Sequence, residues 1–274
     1  MQGPLFARGA TAEVFAWGDR YVLKLFLAGR PPGQARYEAS IGALIHAAGV
    51  AAPAVVALTE AGGRRGVMYE RVAGPSMDKL LEREPWRAVP LAQRFAATHA
   101  ALHRAGVPAL PAQRELLSLR IRAVPLLPER LKQAALVALE RLPAGAALCH
   151  GDFHPGNLLL ASSGPVIIDW ENATSGDPAA DVARTLLLLR YAHLSQPAGV
   201  ARVAMRAGIG LFGAAYLRHY CRLTGVAPAQ MAAWRLPVAA VRLSEGVGAE
   251  EQDALLQLVA HLCENDRRMA VNRV

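Results

Sequence analysis

Hydrophobic positions along this chain change their spacing once, near residue 73. Before that point the apolar residues come in short runs. Leu5-Phe6-Ala7, Glu13–Trp17 and Tyr21–Phe26 read as strands, the last with apolar residues on either side of Lys24. Gly18-Asp19 supplies a hairpin turn. Pro31-Pro32-Gly33 breaks the pattern, and Gln34 to Ala48 then places Tyr37, Ile41, Leu44, Ile45 and Ala48 at helical spacing, closed by Gly49. Val55–Leu58 and Gly66–Val72 predict two more strands across a Gly62-Gly63 turn, and Gly74-Pro75 is the expected hinge. Beyond it the period becomes helical, over about 76–83, 91–105, 113–122, 128–141, 179–194, 200–223, 229–243 and 249–270. Only 147–171 interrupts, reading strand, loop, strand, turn at Ser163-Gly164, strand. The expected fold class is therefore α+β in two lobes: a small β-rich lobe over 1–73 and a larger, mainly helical lobe over 74–274.

Composition narrows the function classes. With 274 residues, 53% hydrophobic and 19% charged, the chain can bury a large core and is not a disordered segment. No apolar run reaches the ~18 residues of a membrane span. Met1 to Phe6 shows no basic segment leading into an apolar stretch, and three dispersed cysteines (Cys149, Cys221, Cys263) lack metal or disulfide spacing. A cytoplasmic protein with reduced thiols and no membrane contact is expected. The net charge of +8 invites a nucleic-acid partner, but Arg64-Arg65 and Arg267-Arg268 are the only adjacent basic pairs, and no aromatic residues interleave a basic stripe. No nucleic acid is expected; a positive field also suits an anionic nucleotide. Three of the thirty basic residues are lysines, and one of them, Lys24, sits mid-strand, where a compact ammonium suits a point contact with phosphate.

The chemistry concentrates in His150-Gly-Asp-Phe-His-Pro-Gly-Asn157, the apolar Pro165–Ile168, and Asp169-Trp-Glu171. Asp152, Asn157 and Asp169 follow one another at spacings of five and twelve residues. Kinase-type phosphoryl transfer needs that order: an Asp to accept the acceptor hydroxyl's proton, then an Asn and an Asp to hold Mg²⁺ against nucleotide phosphates. Asp152 is the expected catalytic base, in a loop held by strands at both ends. Asn157 and Asp169 are the expected metal ligands, oxygen donors for a hard cation. Glu171 is either a further metal contact or a surface acid. His150 and His154 also resemble a metallohydrolase pair, but further ligands in register are missing; His193, His219 and His261 read as core or surface residues. His150 is expected to brace the loop. In the first lobe, Gly9-Ala-Thr-Ala-Glu-Val14 can cover phosphates with backbone N–H groups, with Gly9 and Thr11 as contacts. Lys24 and Glu38 can form the ion pair that orients a phosphate-binding lysine, Glu38 being otherwise a solvated surface residue. Asp177 and Pro178 fit the start of a helix, and Asp181 either caps it or bonds back to the catalytic loop.

His150–Asn157, Ile167-Ile-Asp-Trp-Glu171 and Gly176-Asp-Pro-Ala-Ala-Asp-Val-Ala183 together resemble the aminoglycoside phosphotransferase and choline kinase-like family, over nearly the whole chain. The resemblance implies the protein-kinase-like fold, ATP and Mg²⁺ as cofactors, and a small-molecule hydroxyl as acceptor. It implies Asp152 as base, Asn157 and Asp169 as metal ligands, and Lys24 with Glu38 as the phosphate-orienting pair. It also implies that the segment around Tyr69 to Val72, including Glu70, contacts the adenine through its backbone. Asp-Trp-Glu stands where protein kinases have Asp-Phe-Gly, and no Ala-Pro-Glu segment follows, which points away from protein substrates. A nucleotide-binding regulator without turnover is the reading of a different class. For the acceptor, Glu245 to Asp253 and the Glu264/Asp266 pair offer either an acidic wall or solvated helix surface.

Overall fold

In the computed structural model, which describes residues 2–9, 11–106, 110–192 and 200–271, the first lobe is a five-stranded antiparallel sheet. Its strands are β1 (Gln2–Arg8), β2 (Ala12–Trp17), β3 (Tyr21–Phe26), β4 (Val55–Ala61) and β5 (Arg64–Glu70), in the order β1-β2-β3-β5-β4. Alternation puts Leu23 and Leu25 on one face of β3 and Lys24 on the other, in a row with Val14 and Val67 on its neighbours. Helix α1 (Gln34–Ala47) links β3 to β4 and lies against β4 and β5. It divides its buried residues between the lobes. Ala35 and Ala39 join Ala12, Phe26 and Val67 beneath the sheet. Ile41 and Ile45 belong to the main core of the second lobe.

That second lobe is built from α2 (Met77–Arg83), α3 (Ala88–Leu102), α4 (Gln113–Arg122), α5 (Glu129–Glu140), α6 (Pro178–Tyr191), α7 (Val200–Thr224), α8 (Pro228–Ala233), α9 (Arg235–Arg242) and α10 (Ala249–Val271). Two small antiparallel pairs interrupt the helices: β6 (Ala147–Cys149) with β9 (Thr174–Gly176), and β7 (Leu158–Ala161) with β8 (Gly164–Ile167). A sheet lobe followed by a helical lobe is the expected α+β, kinase-like arrangement. Strand β9 is absent from the sequence reading, because three residues carry no alternation that can be recognised.

One expected helix, 229–243, is two. Pro237 has no N–H and its ring excludes the carbonyl of Ala233, so a continuous helix cannot pass through it. α9 restarts at Arg235, which places Pro237 in a first turn whose N–H groups have no helical partner in any case. Buried Trp234 sits at the break and its indole N–H reaches Asp177 Oδ2 at 3.3 Å.

The crossover between lobes lies on the hairpin that carries the chemistry. Leu160 N–H donates to Pro75 O at 2.9 Å, and Ser76 bridges Leu159. Gly74, at φ 154°, comes so close that an added Cβ would lie 2.4 Å from Leu160 O. Gly74→Ala is expected to lower stability by roughly 2 kcal/mol or more, read as a fall in the urea midpoint at unchanged slope. An unchanged midpoint would mean that the crossover is not pinned here.

Candidate active site

Asp152 is mounted between β6 and the turn Pro155–Asn157 that leads into β7. The next residue, Phe153, is fully buried, its ring stacked 4.4 Å from Phe95 and 4.0 Å from His99. Burying Phe153 fixes the direction in which Asp152 projects.

The backbone on the other side is held by one carboxylate. Asp181, in the first turn of α6, accepts from His150 N–H at 2.6 Å and Gly151 N–H at 2.8 Å. It also accepts from His99 Nε2 at 3.1 Å and His103 Nε2 at 3.2 Å. With both imidazoles donating through Nε2, their Nδ1 atoms accept from the hydroxyls of Tyr216 (2.8 Å) and Tyr220 (2.7 Å). Burial pushes the His99 pKa down to about 3, so that ring is neutral. Burial works against a charged Asp181, yet the hydrogen bonds of His103 and His99 outweigh it and hold its pKa well below the usual carboxylate range. Of the two roles open to Asp181 in the sequence, bonding back to the loop is the one observed.

His150 braces the loop as expected: Nε2 donates to Ile168 O at 3.0 Å, and Nδ1 accepts from Asp152 N–H at 3.2 Å. His154 turns elsewhere. Its Nδ1 accepts from Gly156 N–H at 3.1 Å, and its Nε2 lies 3.7 Å from Asp152 Oδ2. Among the described residues the two histidines do not converge on a metal-binding group.

Asn157 donates from Nδ2 to Asp152 O at 3.0 Å, which leaves its carboxamide oxygen as the end turned away. Ile168 N–H donates to Asn157 O at 3.0 Å and extends the β7–β8 ladder, so Asn157 and Asp169 emerge at the same end of the hairpin. Asp169 has φ 67°, a left-handed conformation rare outside glycine and common where function imposes it. The turn leaves Trp170 buried in the core and the Asp169 carboxylate about one-third exposed. Across the lobes, Lys24 Nζ is 2.8 Å from Asp169 Oδ1 and 2.8 Å from both Glu38 oxygens. Glu38 is therefore buried and paired, with Tyr69 Oη donating to it at 2.8 Å. Burial raises the Glu38 pKa. For Asp169, burial acts the same way but the Lys24 ammonium prevails and holds its pKa down. The Glu171 carboxylate accepts from Gln34 Nε2 at 3.1 Å, and oxygens of Glu38, Asp169 and Glu171 lie within 4.8 Å of one another. Ionised carboxylate with neutral amide oxygen is a donor set that fits a hard divalent cation.

A strand lysine salt-bridged to a helix glutamate, facing an Asp at the end of a hairpin beside an Asp–Asn loop, is found here on a sheet-plus-helix fold. The sequence profile described as the phosphotransferase enzyme family matches residues 3–234. The chain belongs to that family. Solved structures agree on the fold. A thermostable mutant of aminoglycoside phosphotransferase APH(4)-Ia superposes with TM-score 0.64 at 18% identity, covering 98% of this chain and 95% of that one. Aminoglycoside-3'-phosphotransferase of type VIII gives 0.59 at 24% identity over 86% and 90%. A choline/ethanolamine kinase family protein from Mesorhizobium loti gives 0.60 at 17% over 96% and 87%. No curated protein matches the chain in sequence. No helix among the described residues of this phosphotransferase is long and apolar enough to cross a membrane.

The remaining site expectations fall at varied distances from this cluster. Gly9 N–H donates to Ala12 O (2.9 Å) and Thr11 O accepts from Leu27 N–H (2.9 Å), so these groups close the β1–β2 turn and pin it to the end of β3. Glu70 N–H donates to Ala54 O at 2.9 Å, whereas Val72 has no backbone partner among the described residues. His219 accepts from Arg222 and His261 pairs with Asn265, both at the surface; His193 lies outside the described residues. Neither picture of the acidic segment fits half-buried Glu245 and buried Glu251, which are paired with arginines.

Two groups of residues escaped the sequence reading. Arg184 donates to Gly151 O (3.2 Å) and reaches Asp152 Oδ1 (3.4 Å). Its one signal is a lone cation in the apolar run Val182–Leu189. His99 and His103, with Tyr216 and Tyr220, are two one-turn pairs on different helices, meaningful only once α3 packs on α7.

Asp181→Ala strands two imidazole and two backbone donors, and is expected to cost roughly 3–5 kcal/mol in stability. With its folded pKa below the ordinary 3.8, Asp181 contributes stability that is fully present above that value and lost as the pH falls through the folded one. Unfolding midpoints measured downward from about pH 5 should therefore fall more steeply in the wild type than in Asp181→Asn. Parallel curves would contradict this.

Proposed function

We propose that the protein transfers the terminal phosphoryl group of ATP to a hydroxyl of a small molecule. The observation that carries this is the meeting of Lys24, Glu38 and Asp169 across the two lobes, beside the Asp152 loop. Lys24 is the phosphate contact, and Glu38, fixed by Tyr69, aims it. A lysine held by two carboxylates keeps its proton: burial opposes the charge, but Asp169 and Glu38 outweigh burial and raise the pKa. Asp169 and the Asn157 oxygen would hold Mg²⁺, with Glu171 beside them. Bound there, magnesium offsets negative charge on the phosphate oxygens. Asp152 accepts the acceptor's proton as its oxygen attacks in line, and the loop's fixed backbone spares that step any reorganisation. The backbone of Val72, unpartnered among the described residues and two residues beyond β5, is the adenine contact. Relatives support nucleotide use: that aminoglycoside phosphotransferase forms a ternary complex with AMP-PNP and hygromycin B, and the amicoumacin kinase hAmiN is found in complex with AMP-PNP, Ca²⁺ and Ami.

The test is Asp152→Asn beside wild type, with transfer from labelled ATP and nucleotide affinity measured separately. Turnover should fall by about 10²–10⁴-fold with nucleotide binding intact. Equal turnover in the two proteins would remove Asp152 from the chemistry. Binding without turnover in the wild type, over a broad set of hydroxyl compounds, would favour the regulatory reading.

A further inference from the structure

The steps above leave unused a slot at the side of the Asp152 loop. It encloses about 40 Å³ between α4, α6 and α9, with Arg120, Gly151, Arg184 and Glu245 on its walls and Leu117 and Val241 among its apolar lining. Arg184 is 8% exposed. Its Nη2 donates to Glu245 Oε2 at 2.7 Å and reaches Asp152 Oδ1 at 3.4 Å. Among the described residues its Nη1 is buried without a partner, and so is Glu245 Oε1. Buried charged groups are rarely left so, because each lost hydrogen bond costs free energy. Here the unused donor and the unused acceptor belong to two residues of one cavity, large enough for two or three waters or one small polar group. The same guanidinium reaches Asp152 through Nη2 at 3.4 Å, which ties the slot to the base.

Hydrogen-bonding capacity decides which group fits. Glu245 accepts from both Arg184 and Arg242 at 2.7 Å, and Arg242 Nε donates to Glu251 at 2.8 Å. On the slot's wall Glu245 is thus doubly ion-paired, Asp181 is filled by four N–H donors, and Arg120 adds a cation whose Nη2 is held by Asn172 Oδ1 at 2.7 Å. An ammonium offers nothing for Arg184 Nη1 to donate to. A carboxylate offers Glu245 Oε1 no proton to accept. A hydroxyl accepts from one and donates to the other.

Building on the phosphotransferase reading, we propose that this slot is an acceptor subsite. It seats a second hydroxyl of a neutral polyhydroxylated compound, and Arg184 and Glu245 make the substrate sugar- or polyol-like rather than polycationic.

The experiment is labelled-ATP transfer to methyl glycosides and inositols, to kanamycin as polycation, and to gluconate and glycerate as anions. Wild type, Glu245→Gln and Leu117→Trp are compared, with nucleotide affinity and thermal stability measured for each. The second variant fills the slot without touching an ion pair. Neutral polyols should show the highest kcat/KM, and both variants should raise the KM of the preferred one by about tenfold with nucleotide affinity unchanged. Preference for kanamycin or for a hydroxy acid overturns the proposal. So does silence from every neutral polyol while Asp152-dependent ATP hydrolysis persists. An acceptor KM that neither variant moves overturns it too, leaving a slot that holds only water. A wild type that binds no nucleotide overturns the phosphotransferase reading itself, and the inference with it.

Discussion

Asp181 is the constraint on which the rest of this site depends. A carboxylate with no solvent contact is stable only when its lone pairs are filled, and four N–H groups fill them. Two come from the loop that carries Asp152, one from α3 and one from the residue that caps it, so one side chain fastens the catalytic backbone to the helical core. The tyrosines of α7 then complete the histidines, making three helices and one loop a single hydrogen-bonded unit. Such a network is stiff because each member is satisfied, and removing any one leaves the others short.

The first lobe depends on a second electrostatic contact, the Lys24 ammonium between Glu38 and Asp169. With α1 sharing the helical core through Ile41 and Ile45, this places a strand side chain against the end of the β7–β8 hairpin. The carboxylate it meets stands on a left-handed residue, a conformation that persists only where neighbours over-determine it. Trp170, buried and bonded to Ile167 O at 3.0 Å, is one such neighbour. Function and strain coincide at Asp169.

What could be read in advance follows from distance along the chain. Asp152, Asn157 and Asp169 lie in one continuous stretch whose residue types and spacings are themselves the chemistry, and Lys24 stood out as a lysine within a strand. The helical lobe was legible almost helix by helix because long amphipathic segments repeat their period many times. Arg184 and Glu245 are 61 residues apart, and the His–Tyr pairs 117, so their meaning exists only in the packed state. Glu245 and Glu251 show the same limit, since nothing local distinguishes a solvated acid from one enclosed by arginines. Pro237 marks the α8–α9 break, but the apolar period continues across it and masks the interruption.

The Lys24 contact joins the two lobes at the point where phosphates would bind. A crystal structure with AMP-PNP and Mg²⁺ would test it directly. Lys24 Nζ is expected to exchange Asp169 Oδ1 for phosphate oxygens while keeping Glu38, with the metal seated on Asn157 and Asp169. Nucleotide bound elsewhere, with Lys24 still 2.8 Å from Asp169, would contradict it.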